Sequence, residues 1–333
     1  MIRRILIIVL TLLAFTSCEY DEEYVHQNYD IDYRDEMRNW VIMISNIAKQ
    51  ENPDFLIIPQ NCPLLFTYSG YADGELCTEF IDSIDGTGQE GISYGYDKYN
   101  AAMDNDIKNQ FTDLLNIGVC SGLSVLSVNY CDEPEKIDNA LDYDNENEYI
   151  SFVSNSIELI DTQNQSIINE NSNDILHLND ARNWLVLLNP EKYETKEEYI
   201  DELCATNYDV LVIDAFFYDD VMLNVEDVSR IKIKDNGGQR IVIAYLSIGE
   251  AEDYRYYWIS EYDDNPPDWI LKENSNWAGN YPVEYWNKEW QSIIATGEDS
   301  YLKGIIDVGF DGVYLDIVDG YQTFEDMNEL DRQ

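Results

Sequence analysis

Residues 244–258 read A-Y-L-S-I-G-E-A-E-D-Y-R-Y-Y-W. The run that leads into this stretch, residues 240–246, is apolar and short, the form of a strand buried on both faces. Directly after it come Glu250, Glu252, Asp253, Arg255 and the rings of Tyr254, Tyr256, Tyr257 and Trp258. The same form recurs along the chain. Residues 55–59 (F-L-I-I-P) run into Gln60-Asn61, residues 209–213 end at Asp214, and residues 312–315 end at Asp316 with Asp319 three further on. A mixed stretch, residues 80–84, reads as a weaker strand and leads through Asp85 to Glu90. Further strands are expected at 123–128, 152–153 and 184–188. Helical patterns fall at 32–50, 107–115, 196–206, 225–233 and 301–308. The acidic segment 132–148 reads as a loop running into a helix, 161–180 as a surface connection, and 260–295 as a long aromatic loop with a helix.

Short strands that alternate with helices imply parallel pairing. No pair of strands is joined by an Asn-Gly or Asp-Gly hairpin turn. Eight such units in a chain of 333 residues fit a (β/α)8 TIM barrel formed as a single domain over residues 31–325. A doubly wound open sheet is the runner-up; it would often bring a Gly-rich phosphate loop, and the sequence has none. In a parallel barrel the strands emerge at one rim, so residues distant in sequence converge there. That places Gln60, Asn61, Glu90, Asp214, Glu250, Asp316 and Asp319 around one cleft, among tyrosines and tryptophans that include Trp258 and Trp286. Two convergent carboxylates can do acid, base or nucleophile work on a glycosidic bond, and aromatic faces stack on sugar rings. Asp316 stands out, because an acid at the end of V-Y-L is costly to bury without a purpose or a partner. Asp209 and Asp311 precede their strands and read as caps or turns, and Glu252 and Asp253 as a helix cap.

Composition narrows the chemistry. Apolar residues form 45% of the chain, enough for a sizeable core. Lys and Arg number 20 against 66 Asp and Glu, a net charge of −46. Such a surface repels phosphate backbones and anionic headgroups, which argues against nucleic acid as a partner and is compatible with a neutral or cationic ligand. His26 and His177 are the two histidines. That argues against a Ser-His-Asp triad or a His-rich metal site and leaves any catalysis to carboxylates. No motif for a metal or an organic cofactor is present. Cys62 with Cys77, and Cys120 with Cys131, are near enough in sequence to pair, leaving Cys204; the pairing stays open, and the spacings match no zinc pattern.

The N-terminus has a basic start at Arg3-Arg4 and a short apolar run over residues 5–15, too short to span a bilayer. Phe15-Thr16-Ser17-Cys18 resembles a bacterial lipobox, with Phe15 in place of the usual aliphatic residue, and the acidic run 19–23 (E-Y-D-E-E) resembles the surface-export signal of Bacteroides-group lipoproteins. The expectation is a signal peptide over 1–17, lipidation at Cys18, an acidic tether over 18–30, and a protein held at the outer membrane, on the cell surface, through the lipid alone.

Several blocks resemble a known family. Residues 245–255 (Y-L-S-I-G-E-A-E-D-Y-R) with Tyr257-Trp258 are similar to a signature of glycoside hydrolase family 114, endo-α-1,4-polygalactosaminidase-like TIM barrels. So are residues 309–321 (G-F-D-G-V-Y-L-D-I-V-D-G-Y), 285–291 (Y-W-N-K-E-W-Q, with Asn287 where Asp is common), 53–61 and 84–90 (I-D-G-T-G-Q-E). The Gln-Asn and Gly-Gln-Glu blocks precede the Leu-Asp-Ile-Val-Asp block here, whereas in the family pattern they follow it, so the chain resembles a circular permutation of the family order. The resemblance implies hydrolysis of an α-linked amino-sugar polysaccharide. It implies Asp316 as nucleophile or stabilising base and Glu90 as general acid/base, with Asp214, Glu250, Arg255, Tyr245 and Asp319 as sugar contacts. A surface glycan-binding lipoprotein that has lost catalysis is the alternative.

Overall fold

Residues 31–331, apart from 161, 163–165 and 219–220, are described by a computed structural model. Cys18, the signal segment and the tether lie outside the described residues. Helix α1 (Tyr33–Glu51) is capped by Asp32, whose carboxylate accepts from Asp35 N, and buries the stripe Met37, Trp40, Val41, Ile44 and Ala48. Strand β1 (Leu56–Pro59) follows, then a 3-10 turn (Pro63–Leu65), α2 (Thr78–Ser83), β2 (Gly86–Glu90), α3 (Asn105–Cys120), β3 (Ser124–Tyr130), α4 (Pro134–Glu146) and β4 (Ile150–Ser154). After a long connection come β5 (Trp184–Leu187), α5 (Lys196–Cys204), β6 (Val210–Ile213), α6 (Val225–Ile231) and β7 (Ile241–Ser247). Beyond β7 the chain forms an antiparallel pair, β8 (Glu250–Glu252) with β9 (Asn280–Pro282), around the short α7 (Glu261–Asp264). Helix α8 (Lys288–Gln291) runs into a π-helical turn, and α9 (Tyr301–Val308), β10 (Gly312–Asp316) and α10 (Tyr321–Asp331) close the sequence of elements.

The parallel strands form two sheets, ordered β1-β10-β7-β6-β5 and β2-β3-β4. Each strand lies beside its neighbour in sequence, and β10 lies beside β1. The sheets meet at β1 and β2 through a parallel bridge between Gln60 and Gly88. Two backbone bonds join them there, Asp85 N to Ile57 O at 2.9 Å and Asn61 N to Gly88 O at 2.8 Å. On the far side no ladder pairs β4 with β5 among the described residues. There the Trp184 indole N–H donates to Ser127 O at 3.1 Å and the Trp184 ring lies 6.0 Å from Phe152. The connection from β4 to β5 carries a 3-10 turn, Leu178–Asp180, where alternation would put an α-helix. The molecule is thus a mixed α/β fold with parallel, barrel-like sheets.

One expected strand is corrected. Residues 80–84 are not a strand; Phe80 and Ile81 belong to α2 and pack inward, and the strand is β2, Gly-Thr-Gly-Gln-Glu. Its glycines are required by close approach. A Cβ at Gly88 would lie 1.8 Å from the Tyr314 hydroxyl oxygen, and one at Gly86 2.7 Å from Ser124 O. The five cysteines from Cys62 to Cys204 are all free thiols, so neither sequence-near pair is joined. Asp209 does more than turn the chain. Its fully buried carboxylate pairs with Lys234 at 2.8 Å and accepts from Asn171 and from Arg182 N, which ties the β4–β5 connection to β6. No helix among the described residues is long and apolar enough to cross a membrane.

Candidate active site

Sheet order decides what meets at the C-terminal rim. Because β1 lies between β10 and β2, the ends of those three strands bring Asp316, Gln60-Asn61 and Glu90 side by side. Along β10, Gly312, Tyr314 and Asp316 share one face by the two-residue period of a strand. Tyr314 packs against Gly88 and, with ring centroids 6.2 Å apart, against Trp184. Asp316 is 7% exposed and Glu90 4%.

Each carboxylate is gripped by defined donors. Asp316 Oδ2 accepts from the Tyr245 hydroxyl at 2.8 Å and Oδ1 from Ile317 N at 2.8 Å. Ile317 holds φ at 57°, a left-handed conformation that is unfavourable for a β-branched residue, and Gly249 makes room for it: a Cβ there would lie 2.3 Å from Ile317 O. Glu90 Oε1 accepts from the Tyr130 hydroxyl at 2.6 Å and Oε2 from Asn61 Nδ2 at 3.0 Å. Asn61, also left-handed at φ 51°, receives Glu90 N on its Oδ1 at 3.1 Å, so one amide fixes both the backbone and the side chain of Glu90.

Burial pushes the Asp316 carboxyl well above the ordinary aspartate range, and the neighbouring Glu90 charge pushes it further, while Tyr245 and Ile317 N–H pull it back. Burial likewise raises Glu90 against the hydrogen bonds of Tyr130, Asn61 and Gln60. Asp319 is half-buried on the turn that follows, and its charge adds to the rise at Asp316. The two carboxyls thus stand at one rim, each raised by burial and each held by its own donors.

The other residues singled out from sequence form separate groups. Asp214, at the end of β6, receives Arg255 Nη1 at 2.9 Å, and Arg255 Nε donates to Glu252 Oε2 at 2.6 Å. The guanidinium is thus held between two buried carboxylates and fixes the chain after β8. Glu250 takes Asn274 Nδ2 at 2.9 Å and Asn280 Nδ2 at 3.3 Å, and burial lifts its carboxyl to about 7. The Trp258 ring stands 4.8 Å from Tyr281, with its indole N–H on Asp263. Trp286 packs among Tyr33, Tyr285 and Phe324. Tyr130 was missed by the sequence reading; extending the β3 strand from residue 128 to its true end at 130 would have found it. Among the described residues no group of three or more His, Cys, Asp or Glu is arranged to hold a metal ion.

Carboxylates at the ends of parallel strands invite comparison with known families. Residues 168–333 match the model of glycoside-hydrolase family GH114. The matched segment carries Asp214, Tyr245, Glu250, Arg255, Trp258, Trp286, Asp316 and Asp319, while Gln60, Asn61 and Glu90 lie upstream of it. The chain is 41% identical over 161 residues to an uncharacterized protein, MJ1477, of Methanocaldococcus jannaschii, covering 48% of this chain and 41% of that one. It is 34% identical over 151 residues to an uncharacterized protein of Thermotoga maritima, 45% of this chain and 43% of the relative. An uncharacterized protein of Deinococcus radiodurans is 44% identical over 86 residues, 26% and 27% of the two chains. The chain therefore spans less than half the length of these relatives.

Proposed function

We propose that the protein is a glycoside hydrolase that cleaves an α-linked, galactosamine-type polysaccharide within the chain, with Asp316 and Glu90 as its catalytic pair. The observation that carries this reading is the buried pair itself: two carboxyls on strands either side of β1, both raised by burial, each held by a tyrosine hydroxyl. The match of residues 168–333 to a glycoside-hydrolase family supports a carbohydrate substrate. In the proposed reaction Glu90 in its acid form gives its proton to the glycosidic oxygen as the bond to the anomeric carbon breaks. Asp316, as carboxylate, meets the positive charge that develops there as nucleophile or as base towards water. Water supplies the new hydroxyl, and a proton returns to Glu90. Tyr245, Gln60, Asn61 and Asp319 position the pair and contact sugar, and Asp214, Glu250, Arg255, Trp258 and Trp286 shape the rim. The net charge of −46 suits a cationic polymer.

Two further readings accompany this one. The upstream position of Gln60-Asn61 and Glu90, outside the segment matched by the family model, supports a barrel circularly permuted from the family order. The basic start, the apolar run and Cys18 support export as a lipoprotein of the outer membrane.

Leaving-group dependence tests the division of roles. With Glu90→Gln, hydrolysis of galactosaminide polymer should fall by about 10³-fold or more, while an aryl galactosaminide with an activated leaving group should lose far less, since it needs no acid. Asp316→Asn should impair both alike. Equal loss on both substrates in Glu90→Gln would remove Glu90 from the acid role. Binding of the polymer without cleavage by the wild type would leave a glycan-binding protein.

A further inference from the structure

The chain leaving β1 rises between the strands that carry Asp316 and Glu90, and it builds a hairpin-like loop that the catalytic reading does not use. Thr67 and Leu76 form an antiparallel bridge, Tyr68 N donates to Glu75 O at 2.9 Å and Cys77 N to Phe66 O at 2.8 Å. Helix α1 holds the loop from one side: the buried Arg38 donates to Leu65 O at 3.0 Å and Thr67 O at 2.9 Å. Helix α3 holds its tip from the other, with Gln110 Nε2 on Gly70 O at 2.9 Å. Tyr71 O accepts from both Thr67 Oγ1 and Gly74 N.

This rigid loop shows two aromatic rings to solvent. Tyr68 is 57% exposed and Tyr71 61%. The Arg38 guanidinium lies 5.2 Å from the Tyr68 centroid, so cation–π contact steadies that ring while much of it stays open. Glu75 stands opposite Tyr68 in the bridge register and Asp73 occupies the tip. Both are exposed, and among the described residues neither is paired with a lysine or arginine. The loop also touches the rim. A Cβ at Gly70 would lie 2.8 Å from Arg34 Nη1, and Arg34 covers the Tyr321 ring at 5.0 Å, four residues beyond Ile317 on the turn after Asp316.

We infer that this loop is an outer subsite for the same polysaccharide, in which Tyr68 and Tyr71 stack on sugar rings and Glu75 and Asp73 pair with protonated amino groups. The inference rests on the proposed substrate class. Ring faces beside unpaired carboxylates are the complement of an amino sugar, which carries a C–H face and a positive charge. Because Arg38 and Gln110 fix the loop beforehand, little ordering cost opposes binding. Through Arg34 and Tyr321 this flank borders the turn after Asp316, so in the proposed arrangement a long chain seated at the carboxylate pair runs on to it and a monosaccharide glycoside does not.

The test uses the full chain and immobilised, deacetylated α-1,4-galactosamine polymer beside its fully acetylated form. In Tyr68→Ala/Tyr71→Ala, affinity for the deacetylated polymer and kcat/KM on it should each fall roughly tenfold, with activity on an aryl monoglycoside unchanged. Glu75→Gln/Asp73→Asn should weaken binding of the deacetylated polymer and leave the acetylated one unaffected. Unchanged polymer affinity in the tyrosine variant, equal loss on polymer and monoglycoside, or absence of polymer binding by the wild type would overturn the subsite. Polymer binding that depends on the tyrosines in a wild type that cleaves nothing would keep the subsite and reject the hydrolase. All of these side chains are on the surface, so an unchanged thermal midpoint checks that the fold is intact.

Discussion

Both oxygens of Asp316 already hold a donor, and so do both oxygens of Glu90. Burial raises both groups, and the donors act against that rise. Removing a donor therefore has a definite sign. In Tyr130→Phe, Glu90 loses a bond that favours its charged form, so its titration should move upward. Carboxyl carbon NMR of selectively labelled protein reads this directly, and a downward shift would contradict the arrangement. The strand-end positions of Gln60, Asn61 and Asp316 were legible from the apolar runs before them, whereas Glu90 ends a strand, β2, that the sequence reading placed at 80–84 instead. The split among the remaining polar residues was not legible. Asp214 and Glu250 follow strands too, with Arg255 just beyond β8, but their partners Glu252, Asn274 and Asn280 come from the β8–β9 excursion, whose strands are only three residues long and leave no periodic signal.

At the scale of elements, β2 shows why pattern reading failed once. Thr-Glu-Phe-Ile-Asp-Ser has the apolar centre expected of a strand and folds as a helix. Gly-Thr-Gly-Gln-Glu has the look of a turn and folds as a strand buried along its whole length. What decides the matter is a tertiary contact, the Tyr314 hydroxyl occupying the space a side chain would take at Gly88, and that contact is silent in a local window. The consequence is testable. Gly88→Ala should destabilise the protein by about 2–3 kcal/mol or more, because β2 and Tyr314 both sit in a packed interior, and urea unfolding measures it. A neutral effect would mean that Tyr314 can move aside. The described residues of the long run 161–180 form a connection, as its composition suggests. Its anchoring was not foreseen, since Asp209 looked like a turn residue and is instead the buried partner of Lys234 and Asn171.

The whole molecule carries buried acids outside the proposed site, and they set its response to pH. Asp144 on α4 is inaccessible; it accepts from Ser151 at 2.6 Å and Asn129 at 3.3 Å, and burial lifts it to about 7. Glu250 is lifted to about the same value, also by burial. For both, the folded state binds the proton more tightly than the unfolded chain. Their stabilisation is fully present below the unfolded values near 4, falls as pH rises towards about 7, and changes no further above it. Stability should thus increase on acidification from pH 7.5 to 5, with Asp144 accounting for roughly 2–4 kcal/mol. Relief of self-repulsion in a chain of net charge −46 acts in the same direction, so the variant isolates the group. Asp144→Asn should raise the urea midpoint at pH 7.5 and leave it nearly unchanged at pH 5. A loss of stability at pH 7.5 would contradict the assignment. At this scale the alternation of strands and helices was enough to anticipate eight parallel strands with β10 returning to β1. The crossing from β4 to β5, which among its described residues carries a 3-10 turn and no α-helix, broke the alternation in a segment whose Asn, Asp, Gln and Ser give no apolar stripe.

The most direct test of the central claim is product release from partially deacetylated α-1,4-galactosamine oligomers, with α-glucan and chitosan oligomers alongside, by wild type, Glu90→Gln and Asp316→Asn. The account expects shorter galactosamine oligomers from the wild type and a loss of about 10³-fold or more in each variant, with fold and thermal midpoint kept. Undiminished cleavage in either variant, or no cleavage of any oligomer by the wild type, would contradict it.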